Sequence, residues 1–493
     1  MKKLSKPFKF FLLVGLLSIN IAFATNKIAP ETLKKVEKAI VTIDSRISVS
    51  AYQDPGSWKG TGFITDKEHG FIVTNNHMVG GSSIGTYFIT FHNGQQIQAK
   101  PIYYDLWQDY AILKIDPKEM PSSAEQILFS KTLGEQNQNV FVIGSPESQE
   151  FSFHSGYISS LYEISGVMPQ CSYVVNLNSA GGASGSPLLN SKSEAIGVVY
   201  GGSKTYALAL HGQYVQDALD NLKKGKMPNR KHIGILCELY SLDRAVRHRH
   251  FPKAEMEKYI KKFPDARNKV VAVRSIIPGS PAVSSMKPGD IIWKINGKPL
   301  GGSLAILDSG IDTTSDDSVQ LTIYQDGKEM ELAIKLYDIN SNKIEQMVSF
   351  AGAIFFQADD IASSKSGIPL RSLTIKNVQT GSSFSSIPVS YRQDYQNLYR
   401  LVVRSINEKD INDLEELIQV IPEAIKNKFT SIRFKNYQPY FPNFNSFDNS
   451  FISAQEELIV DIVFDSIDNK PRILKYDKKD EEWKAEDIII KTP

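Results

Sequence analysis

Between Ile40 and Tyr200 the chain alternates short apolar runs with breaks at Gly, Asn, Asp and Pro. Gly62-Phe63-Ile64-Thr65, Gly70-Phe71-Ile72-Val73, Tyr87-Phe88-Ile89-Thr90-Phe91, Val140-Phe141-Val142-Ile143 and Ala195-Ile196-Gly197-Val198-Val199 each suit a strand and are too short for a helix. Repeated in this way they predict an all-β barrel or sandwich, with the early and late runs forming two units. Tyr214 to Leu222 then predicts a closing helix, and the polar stretch from Lys223, with Gly225 and Pro228, predicts a linker over 223–231. Apolar segments resume at His232-Ile233-Gly234-Ile235-Leu236 and from Val270 to Ile277. Pro278-Gly279-Ser280-Pro281-Ala282 follows, and Lys287-Pro288-Gly289-Asp290 leads into a strand at Ile291 to Ile295 with an Asn296-Gly297 hairpin signal after it. Past residue 340, Val348 to Phe355, Leu401 to Ile406 and the acid-capped helix pattern Asp410 to Leu417 repeat the order of the preceding domain. A divergent copy of that domain is the reading adopted for 339–493, with an unrelated α+β domain as the alternative. Tyr437 to Ser453, rich in aromatics, Asn and Pro, reads as an inserted loop or partner surface, and Lys478 to Lys484 as a charged, solvated segment.

A length of 493 residues exceeds what one hydrophobic core serves and suits three or four domains. Lys2, Lys3, Lys6 and Lys9 precede the apolar stretch Phe10 to Leu17, and Ala22-Phe23-Ala24 offers a small-residue cleavage site, so residues 1–24 read as a signal peptide. A membrane anchor is the other reading, but Ser18 and Asn20 cut the apolar run below spanning length. Removing a segment that holds four lysines and no acid leaves the chain nearly neutral, so nothing global points to nucleic acid. The run Arg244, Arg247, His248, Arg249, His250 reads as a solvated helix face in preference to a phosphate contact. With only Cys171 and Cys237, disulfides supply no framework; the two pair only if the first domain and the next one pack together there, and are otherwise small apolar fillers. No Cys/His ligand cluster or Gly-rich phosphate loop points to a metal or nucleotide, so no cofactor is expected.

Three fragments carry candidate chemistry. Thr74-Asn75-Asn76-His77-Met78-Val79, Asp109-Tyr110-Ala111-Ile112-Leu113 and Gly181-Gly182-Ala183-Ser184-Gly185-Ser186-Pro187 present histidine, aspartate and serine in the chain order of a chymotrypsin-like protease. A serine hydroxyl is a weak nucleophile that needs a base to take its proton and an acid to orient that base. The pattern predicts hydrolysis of peptide bonds through an acyl-enzyme, with Asp105 competing with Asp109 for the acid.

Together with Gly60-Thr61-Gly62-Phe63-Ile64 and Pro278 to Gly297, these fragments resemble the HtrA/Deg family of ATP-independent serine proteases, over nearly all of the chain after the signal peptide. The long final domain is similar to that of the organellar and related Deg branch. The resemblance implies a mainly β fold: a chymotrypsin-like double β-barrel over 25–222, then two PDZ-like α+β domains over 232–338 and 339–493, the second divergent. It implies His77 as general base, Ser184 as nucleophile and Asp109 as the orienting acid, since Ala111-Ile112-Leu113-Lys114-Ile115 continues as the strand that follows the acid in the family. The backbone amides of Gly182 and Ser184 are the implied oxyanion hole. Ala183 stands where Asn or Asp is usual and Ala180 where a polar residue is usual, which opens the prospect of a hole collapsed at rest.

The same resemblance puts the specificity pocket at Tyr200, Gly201 and Gly202, where no acid favours Lys or Arg, so a small or medium apolar residue is expected before the cut bond. It puts peptide C-termini at the loop Ile233-Gly234-Ile235. The expected partners are unfolded or misfolded proteins, their C-termini, and further copies of the chain as a trimer or multiples of trimers, with no nucleic acid. Export is expected, to a periplasm first, with membrane association or secretion as alternatives. Two other readings stand beside the protease: a chaperone or scaffold with weak or conditional proteolysis, and a pseudoenzyme.

Overall fold

In the computed structural model the described residues are 29–144, 151–161, 171–177, 182–376, 378–379, 381–387, 401–427, 429–438, 454–464 and 470–489. The signal-peptide segment 1–24, Ala180, Gly181 and most of the aromatic stretch after Tyr437 lie outside them. The architecture is mainly β, as the short-run pattern predicts, and opens with two closed six-stranded barrels. The first holds β1 (Ile40–Ser50), β2 (Gly56–Asp66), β3 (Phe71–Thr74), β4 (Ser83–Thr90), β5 (Gln96–Asp105) and β6 (Tyr110–Lys114) in the order β1-β2-β3-β6-β5-β4. The second holds β7 (Asn139–Gly144), β8 (Ser152–Ser160), β9 (Ser172–Asn176), β10 (Pro187–Leu189), β11 (Ala195–Gly202) and β12 (Ala207–His211) in the order β10-β11-β12-β9-β8-β7. Closure leaves neither barrel an open edge, and the inward positions fill with Val, Ile, Leu and Phe.

The helix Gly212–Lys223 closes the barrel pair by turning Tyr214, Val215, Ala218 and Leu219 inward at helical spacing. Lys223 at its end reaches Asp66 of the first barrel at 2.9 Å. The polar stretch that follows is anchored at its far end: the Arg230 guanidinium lies 4.0 Å from the Tyr214 ring centroid, and β13 (Lys231–His232) pairs with β20 (Tyr337–Asp338).

The next sheet runs β14-β15-β16-β18-β19, with β14 (Ile235–Ser241), β15 (Lys269–Ile276), β16 (Ile291–Ile295), β18 (Ser318–Gln325), β19 (Lys328–Lys335) and a short β17 (Lys298–Pro299) against β16. The Asn296-Gly297 signal makes the β16–β17 turn, and the helix Leu304–Asp312, capped by Ser303, packs Leu304, Leu307 and Ile311 on the sheet. Arg247 and His248 end the helix Leu242–His248 on its exposed side, in keeping with a solvated face.

The final sheet repeats that plan. Strand β22 (Ala353–Gln357), the helix Asp360–Ser366, β23 (Leu373–Lys376), a 3-10 turn, β24 (Leu401–Ile406), β25 (Lys409–Asp410), the helix Leu414–Lys426, β26 (Thr430–Gln438) and β27 (Ala454–Ile462) follow the order and the pairing seen from β14 to β19. Asp413 caps the long helix, its Oδ1 accepting the Glu416 amide at 2.9 Å, and Leu414, Leu417, Val420, Ile421 and Ala424 form its buried stripe. The copy departs from the original at one edge. Strand β14 pairs only with β15, whereas β22 also pairs on its outer side with β21 (Gln346–Phe350), which carries β28 (Arg472–Asp477) and β29 (Glu482–Asp487) beyond it. Lys478 to Lys484 thus turns a hairpin, held by Lys484 Nζ on the Asp477 and Asp480 carboxylates and by Tyr476 against Trp483. The segment is charged and exposed, but its alternation was too weak to announce two strands. Among the described residues no helix is long and apolar enough to cross a membrane.

Candidate active site

Strand register brings the histidine and the aspartate together. In the β3–β6 ladder Thr74 stands opposite Ala111, so His77, three residues past Thr74, and Asp109, two before Ala111, leave the first barrel at the same end. His77 sits in the single helical turn Asn76–Val79. Its ring Nδ1 lies 2.8 Å from Asp109 Oδ2, and its backbone N–H donates to Asp109 Oδ1 at 2.9 Å. Asn75 Nδ2 donates to Asp109 O at 2.9 Å. These contacts hold Asp109 at φ 54°, a left-handed conformation that a non-glycine residue adopts at a cost of about 1–3 kcal/mol when its surroundings insist on it.

The His77 side chain keeps 41% of its surface open and Asp109 keeps 22%, so the pair borders the cleft. Burial disfavours the charged ring, but the Asp109 carboxylate, through charge and hydrogen bond, outweighs it and holds His77 above its ordinary value. Asp105, the competing acid, plays a different part. It is fully buried, and its Oδ1 accepts the backbone N–H groups of Trp107 and Gln108 at 2.8 and 2.9 Å.

Ser184 comes from the second barrel, in the turn just before β10, and is tied to the first by Thr61 of β2. Thr61 N–H donates to Ser184 O at 2.9 Å and Thr61 Oγ1 to Gly182 O at 2.8 Å, while Thr74 Oγ1 donates to Thr61 O at 2.9 Å. Gly185 explains part of the local sequence: its φ is 85°, and a Cβ there would stand 1.9 Å from Thr61 O and 2.5 Å from Thr74 Oγ1. The Gly185 N–H donates to Val199 O at 2.8 Å, which fastens the turn to β11. Among the described residues no hydrogen bond joins the His77 ring to Ser184 Oγ. Gly182 has φ 95°, with its carbonyl held by Thr61; its amide belongs to the peptide shared with Gly181, outside the described residues. Ala183 is buried.

The other sequence-derived positions lie on β11, next to Val199 that holds the Gly185 amide, and in the PDZ-like loop. Tyr200 occupies a bulge of β11 between Val199 and Gly201, its hydroxyl 2.8 Å from Ser172 Oγ, and Gly201 and Gly202 end the strand. In the PDZ-like loop Ile233 and Ile235 are buried, and Gly234 has φ 86° with its N–H donating to His232 Nδ1 at 2.9 Å. Burial, with Arg230 adding to it, pushes His232 down to about 3, which keeps the ring neutral and able to accept that bond. Cys171 and Cys237 are both buried free thiols. The two domains do pack together at Cys171, whose thiol donates to Asp308 on the helix Leu304–Asp312 beside the Tyr214 hydroxyl at 2.7 Å. Thr61 and Thr74 are the functional positions missed from sequence. Both stand inside motifs, but only the tertiary contacts reveal a role: Thr61 bonds the Ser184 turn across the barrels, and Thr74 holds the Thr61 carbonyl within the first.

This arrangement can perform acyl transfer: a base oriented by a carboxylate, and a serine on a braced turn facing the same inter-barrel seam. Residues 60–198 match the trypsin-like peptidase domain family and residues 254–336 the PDZ domain family. An uncharacterized protein of Rickettsia prowazekii is 44% identical over 193 residues, covering 39% of this chain and 98% of that one. A pro-apoptotic serine protease of Meyerozyma guilliermondii is 26% identical over 422 residues, covering 83% of this chain and 41% of that one. This chain therefore spans less than half the length of that fungal relative. Among solved structures, HtrA-type protease AlgW with tripeptide is 16% identical with a TM-score of 0.47, covering 62% of this chain and 95% of that one.

Proposed function

We propose that this chain, which belongs to the HtrA/Deg family of chymotrypsin-fold serine proteases with PDZ domains, is an ATP-independent endopeptidase of exported protein quality control that cleaves unfolded or damaged proteins. The observation that carries this reading is the Asp109–His77 pair at 2.8 Å, set at the seam where Thr61 holds the Ser184 turn. His77 Nε2 takes the Ser184 proton as Oγ attacks the scissile carbonyl, then returns it to the leaving amine. Asp109 keeps Nδ1 protonated and stabilises the imidazolium without itself taking the proton. The amides of Gly182 and Ser184 receive the oxyanion, and water then releases the acyl group. Tyr200, Gly201 and Gly202 shape the pocket for a small or medium apolar residue, and the loop at Gly234 takes a peptide C-terminus once its amide leaves His232. The chain acts as a homo-oligomer; light scattering that returns a monomer at micromolar concentration contradicts this assembly.

Labelling with a fluorophosphonate tests the chemistry. Reaction at Ser184 supports it, and no reaction under any condition, including added unfolded protein, removes it. A second reading, a chaperone with conditional proteolysis, draws on the missing His77–Ser184 hydrogen bond and on the occupied Gly234 amide. There the Ser184→Ala variant suppresses aggregation of an unfolded client as well as wild type; if it does not, that role fails.

A further inference from the structure

The turn that delivers Asp109 is supported from far along the chain. Residues Asp105 to Asp109 join β5 to β6, and beyond its two internal bonds Asp105 makes an external one: Asn340 Nδ2 donates to its Oδ2 at 3.1 Å. Trp107 Nε1 donates to Ile339 O at 3.2 Å, and Lys343 Nζ donates to Tyr104 O at 2.6 Å. Ile339, Asn340 and Lys343 belong to the segment between β20 and β21, which joins the two C-terminal sheets. That segment is itself fastened, the Asn340 N–H donating to Asp338 Oδ1 at 3.0 Å. Trp107 is 1% exposed and shares one apolar cluster with Leu106, Leu236, Ile277, Ile339 and Ile361, so the first barrel and both C-terminal sheets meet here. Lys343 lies 4.7 and 4.0 Å from the Tyr103 and Tyr104 ring centroids. Burial, against the pull of Asp105, Asp338 and Glu345, pushes its ammonium down to about 8.

We infer that Asn340 is a positioning residue for the Asp109–His77 pair, acting through Asp105 and the Trp107 turn, so that the joint between the two C-terminal sheets governs the catalytic acid. The inference rests on the hydrolase reading above. A buried carboxylate tolerates the loss of a hydrogen-bond donor poorly, and Asp105 relieves the loss by rotating, which drags the amides of Trp107 and Gln108 with it. Asp109 has little slack to absorb the shift, because a left-handed non-glycine residue keeps its place only while its neighbours hold it. Displacement of a catalytic group by about 1 Å lowers a rate by about 100-fold, so a fraction of that shift is measurable.

The test uses the full chain with Asn340→Leu, which keeps the branching at Cγ in a larger side chain and removes the donor, and follows the rate of fluorophosphonate labelling at Ser184 against pH, normalised to the fraction finally labelled. The wild type shows an acid limb above the ordinary histidine value, because Asp109 holds His77 up. In the variant the plateau rate falls about tenfold and the acid limb moves to lower pH, since a displaced Asp109 no longer offsets the burial of the ring. A purely structural contact lowers Tm and the labelled fraction but leaves both the limb and the normalised rate in place, and that result overturns the inference. Should Asn340→Leu fail to fold, Trp107→Phe keeps an aromatic side chain, smaller than the indole, and loses the bond to Ile339: a smaller shift in the same direction supports the inference and none overturns it. A wild-type chain that never labels removes the hydrolase reading itself, and this inference falls with it.

Discussion

The two barrels contribute to the site in unequal ways. The first supplies both His77 and Asp109, which leave adjacent strands at one end and are joined by two hydrogen bonds, with Asn75 closing a third. The second supplies Ser184 on a turn anchored from both barrels, to β11 through the Gly185 amide and to the first barrel through Thr61 and the room that Gly185 leaves beside it. The base therefore takes nothing from the second barrel, whereas the nucleophile turn is bonded to both. Thr61, more than any triad member, records the docking of the two barrels.

The largest break in this asymmetry is Asp109→Asn, which keeps the shape and loses the charge. Turnover should drop by about 10⁴-fold with the fold intact, as checked by peptide hydrolysis beside circular dichroism. On the other side, Gly185→Ala forces a Cβ into Thr61 O from a left-handed backbone; a loss of about 3 kcal/mol in denaturant unfolding is expected, with activity lost alongside. Thr61→Val leaves Gly182 O without its donor and should cost about 1–3 kcal/mol in transition-state stabilisation, read as a fall in kcat with KM little changed, while Thr61→Ser retains most of the rate.

The smallest effect separates docking from chemistry. Asp66 of the first barrel and Lys223 of the closing helix form an ion pair away from the triad. Burial raises the Asp66 carboxyl, but hydrogen bonds from Lys223 and His69 outweigh it and bring the group from 3.8 down to about 2. A depressed carboxyl stabilises the folded state above its unfolded value and loses that contribution as pH falls from about 4 toward 2. Lys223→Met should therefore flatten the acid side of the stability curve while leaving activity at neutral pH unchanged; thermal melts between pH 2 and 5 check it.

Much of this was legible in the chain. Short apolar runs broken by turn residues announce strands, because a strand's side chains alternate and its ends need turn chemistry, and both are local properties. The resemblance favours Asp109 over Asp105, because the strand Ala111 to Ile115 is the one that follows the acid in the family, and the structure puts Asp109 on His77 while Asp105 closes the turn beneath it. The acid-capped helix at Asp413 was legible for the same reason. The outer strand β21 against β22 was not, nor was the hairpin of β28 and β29, which joins the sheet through β21, over a hundred residues earlier, and shares no periodic signal with it. Arg230, in a stretch that reads as a linker, lies over the Tyr214 ring because two domains enclose it.

By itself, then, the sequence determined the candidate side chains, their chain order and the mainly β architecture, through residue type, short-range pattern and the resemblance these carry. Tertiary structure alone decided what holds those side chains in place. Thr61 on the Ser184 turn, Asn340 on Asp105 and Trp107 under Ile339 are pairings between segments whose sequences carry no mark of one another, and they form only when burial makes each polar group find a partner.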